Sequence, residues 1–425
     1  MVLAARGAGS FSGSGCSVFV PAGSSVGGLV VFFFGFCDSY YFQYAMDYSF
    51  TYDEVFTAFD DCLKHKKNTI GAKEFCVDKV TNLLKLTDEI NFYTYEIGVS
   101  KAFIITDPKV REVFAADFRD RIVHHLVIRE LEPYFESYFI ANTFSCLKGR
   151  GTLHGVQKLS SILDEKSEHY IKPYYIAKLD YQSFFMTIDK QLLCEKLDSF
   201  IVQNYPENRK KNCLRWLCRM IILHHPEDNC IKVGNISLWE KLSPSKSLFY
   251  VGKDKGLAIG NLTSQMFANF YLTPFDHYCE SLGLTIVRYA DDFVVGHENL
   301  EYLKSCISLL KTFATEQLLL TVHPDKLYIQ ECSRGLTFVG AIIKQNRIYC
   351  GGRAICKMYN KVSSRYSHYN ENKMDDFISS VNSYLGLMRH YKSYKVRKKF
   401  VLNNMDEWMP YIVIGKGYQK INKVA

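Results

Sequence analysis

The stretch Thr285-Ile-Val-Arg-Tyr-Ala-Asp-Asp-Phe-Val-Val-Gly296 constrains the fold of this 425-residue chain more than any other. Two short runs of β-branched and aromatic residues flank Asp291 and Asp292, which predicts a β-hairpin with adjacent carboxylates at its turn. Alone, such a pair reads as an ordinary surface turn, because Asp is common in turns. Two further stretches point elsewhere. In Tyr174-Tyr-Ile-Ala-Lys-Leu-Asp-Tyr-Gln-Ser-Phe-Phe185 an apolar, strand-like run ends in Asp180, so a third carboxylate falls at a strand end. Gly256-Leu-Ala-Ile-Gly-Asn-Leu-Thr-Ser-Gln265 is a glycine-punctuated loop, and the apolar residues of Met266-Phe-Ala-Asn-Phe-Tyr-Leu272 suit a buried helix. A loop running into a helix beside three acids is a substrate-facing arrangement.

In order and spacing, the Asp180 segment, the Ile259-Gly260 to Gln265 loop and Tyr289-Ala-Asp-Asp292 resemble motifs A, B and C of reverse transcriptases. The resemblance covers residues 75–415 in outline. Within that superfamily, the Ile-Gly-Asn-Leu-Thr-Ser-Gln form of motif B is most similar to the enzymes of diversity-generating retroelements; other lineages more often carry a Gln-Gly opening and a Ser-Pro ending. The resemblance implies an α+β right-hand polymerase with fingers, palm and thumb. It assigns 46–175 to N-terminal helices and fingers, 176–350 to the palm with fingers elements between motifs A and B, and 351–425 to a helical basic thumb.

The implied activity is RNA-directed DNA polymerisation. Asp180, Asp291 and Asp292 become ligands of two Mg2+ ions, with Mn2+ as a substitute. Lys326, in a segment resembling motif D, is the implied proton donor to the leaving pyrophosphate. Arg111, Lys148 and Arg150 are implied triphosphate contacts, with template contact as the competing role. Ile259, Gly260 and Gln265 lie beside the nascent base pair, and Phe185 is the ring under the sugar. Ser333–Gly340 resembles motif E, the primer grip. Implied partners are a structured template RNA, the nascent cDNA, deoxynucleoside triphosphates and a small basic accessory protein. An antiphage-defence or retron-type enzyme is the alternative within the class. Outside it stands a polymerase-like scaffold that only binds RNA, against which the three intact acids argue.

The chemistry explains the residue types. Nucleotidyl transfer builds negative charge on the attacking and leaving oxygens, and two divalent cations about 3.5–4 Å apart stabilise both. Magnesium selects hard carboxylate oxygens, and clustered acids repel one another without it. At Phe184-Phe185, neighbours on an extended chain point oppositely, so only one ring faces a site. Phe185 is the expected gate against a 2′ hydroxyl.

Charge is distributed unevenly. The balance is 52 basic against 44 acidic residues, and 14 Lys and Arg against 5 Asp and Glu fall from Arg353 onward, a local excess of 9 that accounts for the whole surplus of 8. Helix-like spacing there sets Tyr384, Leu387, Met388 and Tyr391 among Arg389, Lys392, Lys395, Arg397, Lys398 and Lys399, an interleaving of aromatics and cations suited to a nucleic-acid backbone. Helices and then a strand at Leu248–Val251 are expected between motifs A and B. Fourteen cysteines include no Cys-x-x-Cys pair, which fits reduced thiols in a cytoplasmic protein. The group Cys213, Cys218, His224, His225 and Cys230 matches no zinc module and reads as core thiols beside a polar loop.

Residues 1–45 carry only Arg6 and Asp38 as charges and hold eight of the 26 glycines. The expectation is a disordered leader, or translated sequence upstream of a start at Met46. The apolar run Leu29–Cys37 is half of the roughly 20 residues a spanning helix needs, so no membrane association is expected.

Overall fold

A computed structural model describes residues 49–424 apart from His65, Pro108 and Glu207; the expectations for residues 1–45 lie outside the described residues. Helices α1 (Tyr52–Leu63), α2 (Ile70–Val77) and α3 (Lys79–Asn91) open the chain. A capping box starts α1: Glu54 N–H donates to Thr51 Oγ1 at 3.3 Å, and Thr51 N–H donates to Glu54 Oε2 at 2.9 Å. The inner face of α1, Val55, Ala58, Phe59 and Cys62, follows helical spacing. Strands β1 (Ser100–Ile105) and β2 (Arg111–Ala115) precede α4 (Phe118–Tyr138), against which α1 packs.

β1 and β2 form an antiparallel hairpin with Lys101 opposite Ala115 and Ile105 opposite Arg111. After α5 (Thr152–Lys166), β3 (Tyr175–Leu179), the short turn α6 (Phe184–Thr187), α7 (Lys190–Asn204) and α8 (Arg209–Leu223), strand β4 (Cys230–Lys232) adds in parallel to β1. Cys213 and Cys218 lie in the core on α8, as read. The strand expected at Leu248–Val251 is a turn instead. Buried Glu112 draws the segment out of any ladder by accepting from Leu248 N–H at 2.8 Å, Ser247 Oγ at 2.9 Å and Trp239 Nε1 at 2.8 Å.

The palm follows with α9 (Leu262–Ser281), β5 (Thr285–Tyr289), β6 (Asp292–His297), α10 (Leu300–Leu318) and β7 (Tyr328–Glu331). Its antiparallel sheet has the order β5-β6-β3-β7. α9 is buried nearly all round, including Asn269, Thr273 and Asp276. The segment resembling motif E lies on a second small sheet, β10-β9-β8, built from β8 (Leu336–Phe338), β9 (Ala341–Lys344) and β10 (Arg347–Cys350).

The C-terminal part has its own apolar core, including Met358, Val362, Phe377, Val381, Leu385, Phe400 and Trp408. Helices α11 (Gly352–Arg365), α12 (Met374–Met388) and α13 (Tyr394–Asn403) supply most of it. The all-helical expectation needs correction at its end. Strands β11 (Ile412–Ile414) and β12 (Ile421–Lys423) pair antiparallel around the turn containing Gly415 and Gly417, and Ile412 and Ile421 face inward. Among the described residues no helix is long and apolar enough to cross a membrane.

One buried group makes the fold acid-sensitive. His124 on α4 is 5% exposed, its Nδ1 has no hydrogen-bond partner, and burial lowers its pKa to about 3. The unfolded chain binds that proton near pH 6.5, so this contribution to stability is intact above 6.5 and declines as pH falls toward 3. Denaturant midpoints at pH 7 and pH 5 test this: the wild type should lose more stability than His124→Gln, and equal losses would refute the assignment.

Candidate active site

The register of the palm sheet assembles the acids. Pairing of Tyr289 with Asp292 leaves Ala290 and Asp291 as a two-residue turn, and Ala290 is left-handed at φ +54°. A residue with a Cβ holds that conformation only where its surroundings enforce it. On the other side of β6, Leu179 pairs with Phe293, so the next residue, Asp180, emerges across from Asp292. The three acids thus share one corner of the sheet.

The three acids act on one another electrostatically. Asp291 is raised above the ordinary carboxylate range, first by burial and then by the charges of Asp180 and Asp292, while its own backbone N–H and Arg111 pull it down. Arg111, at the start of β2, is therefore the fingers cation that reaches this corner. Lys326 Nζ lies 2.6 Å from Asp180 Oδ2, and Lys178 Nζ lies 2.7 Å from Asp292 Oδ1. Lys326 is set by a short helical turn after His323, whose N–H donates to the Asp180 carbonyl at 2.7 Å. Among the described residues no three His, Cys, Asp or Glu side chains converge as a ready-made metal cage. The donor chemistry suits a hard divalent cation: three carboxylates lie at neighbouring strand ends, and two of them lean on ammonium groups.

What holds the strained turn in place is a buried polar network that sequence reasoning missed. Arg288 on β5 and Asp276 on α9 are both fully buried, with Arg288 Nη2 2.6 Å and Nε 2.8 Å from the carboxylate. Arg288 Nη1 also donates to Asn269 Oδ1 at 3.0 Å and to the Ala290 carbonyl at 3.3 Å. The Ala290 N–H donates to Ser145 Oγ at 3.1 Å, so both polar backbone groups of the turn residue are fixed. A signal was available: an arginine inside an apolar strand and an aspartate inside an apolar helix each demand a partner.

The motif B loop is placed by close backbone approach. Phe114 N–H donates to the Ile259 carbonyl at 2.9 Å, and Leu257 N–H donates to the Phe185 carbonyl at 2.8 Å. Gly260 sits at φ +121°, where a Cβ would come within 2.7 Å of Val113 Cγ1 and 3.1 Å of the Phe114 carbonyl oxygen. Only glycine meets both demands. Ile259 is half-buried against the fingers cluster, and Gln265 is exposed on the first turn of α9. Phe184 is buried at 3% exposure while Phe185 is half-buried, its ring 5.4 Å from that of Phe184. Phe184–Thr187 is a helical turn and not the extended run that the alternation argument assumes; the turn nevertheless buries Phe184 and leaves Phe185 partly accessible.

Other expected cations are placed differently. Arg150 Nη1 donates to the carbonyls of Thr143 and Ala141 at 3.1 and 3.2 Å, and Lys148 Nζ pairs with Glu132 at 2.6 Å. Arg150 thus ties its own loop together, and of the three triphosphate candidates only Arg111 acts electrostatically on Asp291. In the thumb, Arg389, Lys392, Lys395, Lys398 and Lys399 are exposed, but Arg397 is buried at 5% exposure with Nε and Nη1 unpartnered. Its position with Ser393, Phe400 and Val401 on the inward face of α13 explains the correction.

The arrangement is an antiparallel sheet that carries Asp180, Asp291 and Asp292 at neighbouring strand ends. Residues 106–343 match the family described as reverse transcriptase (RNA-dependent DNA polymerase), more than half of the chain, and the chain belongs to that family. No curated protein matches the chain. Among solved structures it is similar to telomerase from Candida albicans in complex with a TWJ fragment of telomeric RNA, at 12% identity and TM-score 0.43, covering 74% of this chain and 55% of that one. Apo telomerase from Candida tropicalis is similar at 13% identity and TM-score 0.44, covering 73% and 60%. The chain spans little more than half the length of either.

Two outcomes follow from the geometry. Arg288→Met should destabilise the protein by about 3–5 kcal/mol, because Asp276 is left as a buried, uncompensated charge; the double variant with Asp276→Leu should recover much of that loss. Urea unfolding of the set measures both, and a single variant as stable as the wild type would remove the network from its anchoring role. Phe185→Val should admit ribonucleotides in primer extension, whereas unchanged sugar discrimination would assign the gate to another side chain.

Proposed function

We propose that the chain is an RNA-directed DNA polymerase that copies a structured RNA template into cDNA, and that it is the error-prone enzyme of a diversity-generating retroelement. The observation that carries the activity is the gathering of Asp180, Asp291 and Asp292 at one sheet corner beside Arg111. Asp180 and Asp291 would hold two magnesium ions, or manganese in their place, with Asp292 as a further ligand or close neighbour. The bound ions supply charge stabilisation at the attacking and leaving oxygens.

The chain's own residues do the rest. Lys326, beside Asp180, is the group that passes a proton to the leaving pyrophosphate. Arg111 offers a fixed cation to the triphosphate at the fingers edge. Phe185 closes the space a 2′ hydroxyl would need. The exposed Arg389, Lys392, Lys395, Lys398 and Lys399 carry the template-primer backbone along the thumb.

The retroelement reading rests on the Ile259 to Gln265 loop. A branched Ile259 offers no hydrogen bond where a glutamine would, so correct pairs gain less over mispairs. The same resemblance supplies the small basic accessory protein as a partner.

Asp291→Ala with Asp292→Ala should abolish magnesium-dependent primer extension while RNA binding persists through the thumb; continued synthesis would sink the catalytic assignment. Sequencing cDNA from a defined template should reveal errors concentrated at template adenines, reduced in Ile259→Gln. Uniformly low error would replace the retroelement reading with the defence or retron-type one and leave the polymerase reading standing.

A further inference from the structure

We propose that Cys146 is a positioning residue for nucleotide selection: its thiol sets which end of the Gln265 carboxamide faces the nascent base pair. The inference rests on the polymerase reading above and deepens it. It begins with the loop between α4 and α5, which runs beside β5. Phe144 N–H donates to the Arg288 carbonyl at 3.0 Å, and Arg288 N–H donates to the Asn142 carbonyl at 3.0 Å, so the loop is fixed to the strand that leads into the metal-binding turn. The next two residues of the loop address one face of α9. Ser145 Oγ donates to Asn269 Oδ1 at 2.8 Å, and Asn269 Nδ2 donates back to the Ser145 carbonyl at 2.7 Å. Cys146 Sγ lies 3.0 Å from Gln265 Oε1. Gln265 and Asn269 are four residues apart on a helix and so stack on one side. Ser145 and Cys146 grip them in succession.

The second contact is built at a cost in backbone energy. Cys146 adopts φ +57°, a left-handed conformation that residues with a Cβ rarely hold. Cys146 is exposed as a residue, yet desolvation raises its thiol above the ordinary range against a weaker pull from Ser145, so at neutral pH the group is an S–H donor. A donor at Gln265 Oε1 leaves the amide Nε2, with its two N–H groups, as the end free to face the cleft. Purine N3 and pyrimidine O2 are minor-groove acceptors in A·T and T·A pairs alike. A fixed donor therefore tests the shape of a pair without reading its identity. A carboxamide free to flip would present acceptor and donor in turn and discriminate less.

Single-nucleotide insertion kinetics test this with Cys146→Ala, Cys146→Ser, Gln265→Met and the double variant Cys146→Ala with Gln265→Met. Cys146→Ala should raise KM for correct deoxynucleotides about three- to tenfold, the range one hydrogen bond spans, with kcat nearly unchanged and misincorporation increased. Cys146→Ser, which keeps a donor, should restore selection. In the Gln265→Met background, Cys146→Ala should add nothing. Serine as poor as alanine, or additive losses in the double variant, would overturn the proposal. A second readout needs no catalysis: alkylation of Cys146 by iodoacetamide, followed by peptide mass spectrometry, should be faster in Gln265→Met than in the wild type. An unchanged rate refutes the contact. If the wild type extends no primer yet Gln265→Met is alkylated faster than it, the polymerase reading and the base-pair role are refuted while the Cys146–Gln265 pairing stands.

Discussion

The corner that gathers the three acids depends on a buried ion pair between Arg288 and Asp276. Taking both charges out of water is expensive, and burial pushes Asp276 upward even against the pull of Arg288. A pair of apolar side chains in the same space would be about as stable or more so. What apolar side chains lack is direction. The guanidinium donates to a helix aspartate, a helix asparagine and the carbonyl of the turn residue, so α9, β5 and the β5–β6 turn are held in one mutual orientation. The pair is better understood as specifying geometry than as supplying stability.

That geometry is needed because the corner opposes itself electrostatically. Three carboxylates gather where strand register and a left-handed Ala290 force them together, and Asp291 bears the consequence. Lys178, Lys326 and Arg111 come from β3, from the segment before β7 and from the fingers, three separate directions. Their charges lessen the repulsion, while the Arg288 network keeps the turn from relaxing. Strain at a site persists only where the surroundings over-determine it, and here both backbone polar groups of Ala290 are fixed by side chains from other elements.

Much of this was legible in the sequence, for reasons of distance along the chain. The hairpin, the acid after β3 and the glycine loop are local patterns, each fixed by a few consecutive residues. Gly260 could be singled out by spacing, although the reason for it, the approach of Val113 and the Phe114 carbonyl, lies on another strand. The readings that failed concern long-range partners. Arg397 looks like a surface cation, but it falls on the inward face of a helix. Leu248–Val251 has strand composition, yet Glu112, far off in sequence, binds its backbone first. Composition states what a side chain can do; only the fold states which partner reaches it.

The same consideration explains why α9 carries polar residues through an apolar interior. The buried Asn269 and Asp276 meet, respectively, Ser145 with Arg288 and Arg288 again, and Gln265, at the exposed start of the helix, meets Cys146. One helix face thus touches the loop leading out of the fingers, the strand entering the acid turn and the edge of the cleft. Protein interiors transmit small displacements because they are packed nearly as tightly as crystals. A shift in the loop at Ser145 and Cys146 would be felt at Ala290 through one hydrogen bond and at Gln265 through another. The acid-bearing turn and Gln265 are therefore not independent parts: whatever moves that loop moves both.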